Sequence, residues 1–462
     1  MDETISYKLS RFAYDLKLKD VPQEVITRIK LHFLDTLGIM MAAHNLESIS
    51  PVIKVCKLLG GPPESTIIGH GSKIAAPNAA MANATMAHSL DYDDTHLGSV
   101  HQGCVAIPVS VAVGEKVGAS GEEVLEAVLV AYEVNARLGL VAPGSFHIRG
   151  FHPTPVLGVF GAALAAGKLM GLSIEQLCWA LGIAGSMSSG IGQTVKEGIP
   201  LKAMHPGIAA HGGVLASLLA SEGYKGPVKV FEGEAGFFNA YLWGEKNNVN
   251  QATLELGNKW ETLNTSLKPY PSCHATHSAI DAAITLKKKY GVRLEDLQEC
   301  ICYLSRYGME LTRSDVTTAY GAKFSIKYCV SVALKKGFVG IADFTDEAIK
   351  DKCILEAMQK IKVYPDEKYD TYVKERMVFP AKVRVKLKDN SVYEEEVIDH
   401  KGTPHNPLTW EDTMTKFVDN IKHTKFYDVK EAIVKRVLNI EKYCINDLTE
   451  ILSGSFCSTN LK

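Results

Sequence analysis

The residues best suited to chemistry lie in one run between His88 and His101, which reads HSLDYDDTHLGSVH. The run holds three aspartates, three histidines and a threonine, and it follows an Ala-, Met- and Asn-rich stretch, residues 79–87, that predicts a buried helix. If this helix continues to about Thr95, helical spacing places His88, Asp91 and Thr95 on one face. Such a polar row is costly to bury unless it is paired or used. The run is therefore the first candidate for a functional site.

Three further segments carry cationic side chains beside glycine or proline turns. They are His147–Pro155, which contains His152; Lys196–Gly207, which contains Lys202 and His205; and Lys268–His277, which contains Cys273 and His274. In three of the four segments a histidine or lysine stands next to a predicted helix N-terminus, whose free N–H groups favour an anion. Together the four segments predict a pocket for a negatively charged small molecule.

The composition excludes several classes of partner. Lys and Arg number 50 against 52 Asp and Glu, and the net charge of -2 gives no overall attraction for nucleic acid or an anionic membrane.

Ten cysteines without a CxxC pair predict reduced thiols in a cytoplasmic protein. The N-terminus lacks a signal-peptide pattern. The apolar stretch Val156–Leu172 contains Lys168, which favours a buried helix over a membrane span.

The elements that must position these residues are mainly α-helices. Gly and Ala recur through Pro153–Gly171, which predicts the centre of a helical core, and Ser173 with Gln176 predicts a capping box at the next helix. Alternation at Cys300–Leu304 and a hairpin over Lys382–Val397 predict strands later in the chain. We therefore expect a large all-α helical domain and a smaller inserted α/β domain. The expected boundaries are 1–265 plus 400–462 for the first domain and 266–399 for the second.

The segments as a set resemble a known family. The motifs that carry the resemblance are HSLDYDDTH, FHPTP, LKAMHPG, FEGEAGFF at Phe231–Phe238, and KPYPSCHATH. They resemble the MmgE/PrpD family, whose members include 2-methylcitrate dehydratases, cis-aconitate decarboxylases and iminodisuccinate epimerases. The resemblance implies an all-α domain built from the N-terminal part and the C-terminal tail, an inserted α/β domain, and a homodimer.

Matched position by position to the cis-aconitate decarboxylases, the resemblance implies a pocket formed by Asp91, Thr95, His101, His152, Lys202 and Lys268. Two departures count against decarboxylation in particular. Cys273, with His274 beside it, stands where the decarboxylases have an active-site histidine, and Pro269 replaces an arginine of the animal enzyme.

The expected activity is that of a cofactor-independent lyase acting on a small di- or tricarboxylate. Dehydration and decarboxylation can both pass through negative charge on a carbon next to a carboxylate, and fixed cations in a poorly hydrated site stabilise that charge. Lys202 and Lys268 would supply the cations, and either could act as a base if burial lowers its pKa. His101 and His152 would transfer protons. Asp91 and Thr95 would orient a histidine or bind a substrate oxygen. No redox step is involved, so no cofactor is required.

Other functions remain open at this stage. An epimerase of a small dicarboxylate would use the same pocket. The aspartates and histidines of residues 88–101 could instead bind a divalent metal in a hydrolase, although the neighbouring cations would repel a metal. A non-catalytic binding protein and a cysteine enzyme based on Cys273 with His274 or His277 are further alternatives.

Overall fold

The computed structural model describes residues 3–98, 100–197, 199–312, 315–376 and 378–455. Helices dominate the part of the chain before residue 265. Their bounds are α1 (Ile5–Asp15), α2 (Gln23–Ala43), α3 (Ser50–Leu59), α4 (Ala76–His88), α5 (Gly103–Val117), α6 (Gly121–Leu140), α7 (Ser145–Ile148), α8 (Pro153–Leu169), α9 (Ile174–Gly185), α10 (Gln193–Lys196), α11 (Met204–Ser221) and α12 (Phe237–Leu242). The prediction of a mainly helical fold is confirmed.

The centre of this helical part is α8, as the small residues of Pro153–Gly171 predict. Residues 153–167 of α8 are all buried. Helix α11 crosses it so closely that a Cβ added to Gly213 would lie 2.3 Å from the Cβ of Ala162. Small side chains therefore set the spacing between these two helices. The capping box predicted from Ser173 and Gln176 is present at the start of α9.

The remaining helices are α13 (His277–Tyr290), α14 (Arg306–Leu311), α15 (Ala319–Ala322), α16 (Ile326–Lys336), α17 (Lys352–Gln359), α18 (Lys368–Arg376), α19 (Trp410–Ile421), α20 (Lys430–Leu438) and α21 (Ile445–Leu452). The strands are β1 (Ser65–Ile67), β2 (Ser72–Ile74), β3 (Thr95–His96), β4 (Thr265–Ser266), β5 (Leu297–Leu304), β6 (Ile361–Pro365), β7 (Ala381–Leu387) and β8 (Val392–Val397). Strands β1 and β2 form one antiparallel pair, and β3 and β4 form another.

A small mixed sheet with the order β6-β5-β7-β8 lies in the C-terminal region. Strands β7 and β8 form the hairpin predicted over Lys382–Val397, and β5 contains the predicted strand Cys300–Leu304. Strand β6 pairs with β5 in parallel, and the sequence did not predict it. Helix α17 ends at Gln359, just before β6 begins.

Two large apolar cores and two small apolar clusters are present in the described part of the chain. The larger core contains side chains from α1 to α9, α11 and α12 together with those of α19, α20 and α21, and α19 packs on α2. The smaller contains side chains from α13, α16 and the four-stranded sheet. We propose that these cores belong to two domains, 1–265 plus 400–462 and 266–399.

None of the helices in the described ranges is both long enough and apolar enough to cross a membrane. The nine described cysteines are all free. Cys457 lies outside the described residues.

The α8–α11 crossing gives a matched pair of stability tests. Gly213→Ala would force the new methyl against Ala162, and we expect a loss of about 1–3 kcal/mol in the free energy of unfolding. Gly212→Ala on the same helix would place its Cβ 3.4 Å from Met187, an ordinary contact. It should be neutral or stabilising by up to about 1 kcal/mol, because alanine favours a helix over glycine. Urea unfolding of both variants measures this, and equal stabilities would contradict the packing.

Candidate active site

The run between His88 and His101 does not continue α4 as the sequence predicts. Helix α4 ends at His88, Asp91 takes a left-handed backbone conformation with φ 50°, and Thr95 lies in β3. The prediction that His88, Asp91 and Thr95 share a helix face is therefore wrong. The physical reason is that the carbonyl groups just beyond the helix bind lysine side chains instead of extending its hydrogen bonds.

Three buried lysines hold this loop, residues 89–94, against the loop at 268–273. Lys323 Nζ donates to the carbonyls of Leu90 and Pro271, both at 2.8 Å. Lys268 Nζ donates to the carbonyls of Asp91 at 2.9 Å and Ser272 at 3.1 Å. Lys416 Nζ donates to the carbonyls of Tyr92 at 2.9 Å and Lys268 at 2.8 Å. Each ammonium thus joins one carbonyl of the first loop to one of the second. We call Lys268, Lys323 and Lys416 the lysine brace.

Further contacts join the same two loops. Strand β3 pairs antiparallel with β4, so that Thr95 lies opposite Ser266, and the Tyr92 hydroxyl donates to the carbonyl of Pro269 at 2.9 Å. Segments that are far apart in sequence are thereby fixed side by side, which brings Lys268 to Asp91.

The centre of the site is a buried ion triad of Lys202, Asp91 and Lys268. Lys202 Nζ donates to Asp91 Oδ1, and Lys268 Nζ lies 3.1 Å from Asp91 Oδ2. Burial alone would raise the pKa of the Asp91 carboxyl, but Lys202 and Lys268 outweigh it and hold that pKa well below its usual range. Burial likewise opposes the charged form of Lys202, yet Asp91 raises the pKa of its ammonium. Lys202 is therefore a fixed cation, and the condition under which it could act as a base is not met.

Three histidines face one another beside this triad. The ring centroids of His88 and His101 are 4.7 Å apart, those of His88 and His152 are 5.6 Å apart, and those of His101 and His152 are 6.2 Å apart. Asp93 accepts from His88 Nδ1 at 2.8 and 2.9 Å. His152, at the N-cap of α8, shares a hydrogen bond with His205 between their Nδ1 atoms at 3.1 Å. The structure thus brings together His101, His152, Lys202 and Lys268 from all four predicted segments.

Burial favours the neutral form of His101 and His152. Burial lowers the pKa of His101 to about 3, with Asp93 opposing it, and burial followed by the charge of Lys202 holds the pKa of His152 well below its usual range. Histidine ordinarily titrates near pH 6.5, so burial shifts both rings toward the uncharged form in the free protein. His101 Nδ1 lies 2.8 Å from the carbonyl oxygen of Asp94, which can only accept, so Nδ1 carries the proton. Its Nε2 is left as a base.

Asp94 has a structural role. Its Oδ1 accepts from the backbone N–H groups of Gln102 and Gly103 at the start of α5, and its Oδ2 accepts from His32 Nδ1 at 2.7 Å and from the Tyr132 hydroxyl. The carboxylate thus stabilises the N-terminus of α5 and fixes the chain just before His101.

Cys273 and His274 follow Lys268 in the chain, at the start of a short 3-10 helix, His274–Thr276. Burial raises the pKa of the Cys273 thiol, with Asp91 adding to the effect. His274 Nε2 shares a hydrogen bond with His400 Nε2 at 2.7 Å. A buried thiol that stays protonated is a poor nucleophile, so the geometry counts against a cysteine enzyme based on Cys273.

Sequence reasoning missed four residues near the triad: Lys323, Lys416, Tyr320 and His400. Burial lowers the pKa of Lys323 to about 7, and burial raises the pKa of the Tyr320 hydroxyl, which Lys202 opposes. A lone lysine at position 323 gives no signal in the sequence of its contacts with the two loops. Thr95 is placed by its pairing with Ser266 between β3 and β4.

The site is closed. Side-chain exposure is 13% for His101, 8% for Lys202 and 1% for Lys268. Two surface cavities of about 450 and 440 Å³ lie elsewhere, beside Trp260 and beside Val141, and none of the predicted site residues lines them. Seclusion from water strengthens every charge interaction inside the site.

Removal of a brace lysine is expected to lower the free energy of unfolding strongly. Lys323→Met would leave the carbonyls of Leu90 and Pro271 buried without a donor, so we expect the free energy of unfolding to fall by about 2–4 kcal/mol. Lys327→Met, an exposed position on α16, is the control and should stay within about 0.5 kcal/mol of the parent. Urea unfolding compares them. A loss at position 323 no larger than at 327 would contradict the brace.

The neutral histidines predict a loss of stability on acidification. The unfolded chain binds a proton at His101 below about pH 6.5, whereas the folded chain does so only near pH 3, so stability rises with pH between these values and falls on acidification. From pH 7 to pH 5 this one group removes up to about 2 kcal/mol. His101→Gln should reduce the pH dependence by that amount, as measured by urea unfolding at both pH values. An unchanged dependence would show that burial does not lower this pKa.

Comparison with known proteins identifies the family of this chain. Residues 7–250 match the MmgE/PrpD N-terminal domain and residues 270–440 match the MmgE/PrpD C-terminal domain. Human cis-aconitate decarboxylase is 27% identical over 98% of this chain and 95% of its own length. An Aspergillus terreus cis-aconitate decarboxylase is 24% identical over 85% of this chain and 84% of its own. The 2-methylcitrate dehydratase of Escherichia coli is 22% identical over 79% of each chain. The chain therefore belongs to the MmgE/PrpD family of lyases.

Proposed function

We propose that this protein is a cofactor-independent lyase that removes water or carbon dioxide from a small di- or tricarboxylate through a carbanion-like intermediate. The observation that carries the proposal is the buried triad of Lys202, Asp91 and Lys268 beside neutral His101 and His152. The relatives named above act, by their names, on cis-aconitate and 2-methylcitrate, which are acids of this class.

The two active-site lysines have different roles in this proposal. An ammonium group has three N–H donors, and Lys268 gives them to the Asp91 carbonyl, the Asp91 carboxylate and the Ser272 carbonyl. Lys202 has Asp91 as its hydrogen-bond partner among the described residues, which leaves donors for a substrate. Lys202 is therefore proposed to bind a substrate carboxylate directly, whereas Lys268 contributes its positive charge and fixes Asp91.

Proton transfer is assigned to His101 and His152. Because His101 holds its proton on Nδ1, Nε2 can take a proton from the carbon next to a carboxylate. The negative charge that develops is stabilised by Lys202 and Lys268 in a site from which water is excluded. The imidazolium formed can then return the proton to a leaving hydroxide, which completes dehydration. In decarboxylation the same cations would stabilise the charge left when carbon dioxide departs, and a histidine charged on substrate binding would protonate that carbon.

The remainder of the substrate site is proposed to include Asp91, Thr95, His205, Cys273 and His274. Support for the last two comes from electrostatics, since Lys268 and Asp91 act on the ionisation of both side chains. His205 is held against His152 and can fix its orientation.

A homodimer is part of the proposal, as the resemblance implies. Large apolar side chains are exposed close to the His147–Pro155 segment, where Ile148 is 74% and Ile191 is 68% exposed, and Ile191 bridges to Phe151. Such a surface is expected to be covered by a second copy, which light scattering after gel filtration would show directly.

The proposal predicts which side chains turnover needs. Purified protein is offered 2-methylcitrate, cis-aconitate, citrate and iminodisuccinate, and NMR follows loss of water, loss of carbon dioxide or stereochemical exchange. On the acid that reacts, Lys202→Met should lower kcat/KM by about 10²–10³-fold, because it removes one preorganised donor. His152→Ala should do the same by removing a proton-transfer group.

Lys196→Met is the matched control, because Lys196 is an exposed lysine of the same segment. It should retain the parental kcat/KM. Circular dichroism checks that each variant is folded. Full activity of both Lys202→Met and His152→Ala would refute the assignment, and stereochemical exchange without loss of water or carbon dioxide would replace the lyase with an epimerase.

A further inference from the structure

One buried imidazole nitrogen near the ion triad lacks a hydrogen-bond partner among the described residues. His88 has a fully buried side chain, and its Nδ1 is bound by both oxygens of Asp93. Because a carboxylate accepts a hydrogen bond there, the Nδ1 atom carries the proton and Nε2 presents a lone pair. That Nε2 atom is buried and unpaired. A buried unpaired acceptor is unusual in a folded protein and requires an explanation.

Two other histidines offer nitrogens to the same point. One ring nitrogen from each of His88, His101 and His152 lies within 4.8 Å of the other two. In His101 the Nδ1 atom is occupied by the Asp94 carbonyl, and in His152 it is occupied by His205. Each of the three rings therefore has a hydrogen-bond partner at Nδ1. The Nε2 atom offers a lone pair in His88 and His101, and it does so in His152 when the Nδ1 atom of that ring donates to His205.

This arrangement has the donor set of a three-histidine metal site. Zinc is bound in catalytic sites by three protein ligands, and each ligating histidine donates its other N–H to a carboxylate or backbone carbonyl. Here Asp93 and the Asp94 carbonyl occupy those outer positions. Tetrahedral zinc with bonds of about 2.0–2.1 Å places ligand nitrogens about 3.4 Å apart. The ring nitrogens now lie within 4.8 Å of one another, so each pair would have to approach by at most about 1.4 Å.

The neighbouring cations do not exclude a metal. Lys202 and Lys268 are both paired with Asp91, and Asp93 supplies a second carboxylate directly behind His88. The formal charges of these two lysines and two aspartates cancel. The repulsion expected from the sequence is therefore largely neutralised at the three histidines.

We propose that His88, His101 and His152 form a binding site for one Zn²⁺-class transition metal ion, and that the bound metal inhibits the lyase. Metal binding stands on the geometry alone. The inhibitory effect rests on the proposed function, because a metal on His101 and His152 occupies the lone pairs that would move the substrate's proton. A metal bound to these two histidines would therefore compete with the substrate.

A second combination of side chains shares two of these residues. His88, Asp93 and Cys104 also bring ligand atoms within 4.8 Å of one another. Both oxygens of Asp93 already accept from His88, however, and the Cys104 sulfur lies 3.4 Å from the carbonyl of His101, to which it donates. The three-histidine set is the one with its lone pairs unused.

The test uses the full-length protein dialysed against EDTA and titrated with Co²⁺, whose visible absorption reports tetrahedral nitrogen ligation. We expect one equivalent to bind and to be displaced by one equivalent of Zn²⁺. His88→Gln should weaken Co²⁺ binding by at least about tenfold, in line with the loss of a metal-site residue. His211→Gln, at a half-buried histidine of α11, should bind Co²⁺ as the parent does. His152→Gln is a second ligand variant in case His88→Gln does not fold.

Three results would overturn the site: no tetrahedral Co²⁺ spectrum, equal binding by both ligand variants and the control, or an intense thiolate band in the near ultraviolet, which would place the metal on Cys104. In a parallel activity assay on the acid that reacts, turnover should fall in proportion to Zn²⁺ occupancy and return when EDTA removes the metal. An EDTA-treated protein that is inactive until Zn²⁺ is added would overturn inhibition. If no acid is turned over, the proposed lyase function fails, whereas the Co²⁺ spectrum still decides the metal site.

Discussion

The site depends on the attraction between buried ammonium groups and backbone carbonyls. Lys323, Lys268 and Lys416 bind three consecutive carbonyls, those of Leu90, Asp91 and Tyr92, and each also binds a carbonyl of the facing loop. Charged donors make hydrogen bonds stronger than neutral ones, and here they hold a loop that is neither helix nor sheet. The left-handed backbone of Asp91 costs free energy, and these contacts keep it in place.

The brace also explains how several positive charges can stand together without water. Lys416 is paired with Asp35, and Lys268 is paired with Asp91, so the ammonium groups are compensated by carboxylates as well as by carbonyls. Lys202 differs from the brace lysines, because its hydrogen bond among the described residues is to the Asp91 carboxylate and not to a backbone carbonyl. The fold thus uses most of its buried lysines for structure and leaves one with spare donors in the closed site.

Much of this arrangement could be predicted from sequence. Periodicity and capping patterns predicted α8, α9 and the β7–β8 hairpin, because those elements are specified by neighbouring residues. The four segments could be recognised by their unusual density of ionisable and turn-forming residues. The path of residues 89–94 could not, because it is decided by Lys323 and Lys416, whose contacts with it are distant in sequence. The effect of burial on the pKa values of His101 and His152 could not be predicted either, since burial follows from the whole fold and not from local spacing. The division into domains and the roles of the site residues stay predictions.

The span of the brace along the chain has a consequence for how the protein is made. Lys416 is separated by 324 residues from its partner Tyr92 and by 148 from its partner Lys268. During synthesis the N-terminal helices emerge first, and their hydrophobic faces can pack before α19 exists. The candidate site cannot reach its final arrangement until α19 has left the ribosome and docked. A chain that ends before α19 therefore lacks part of the brace, whatever share of its apolar core has already formed.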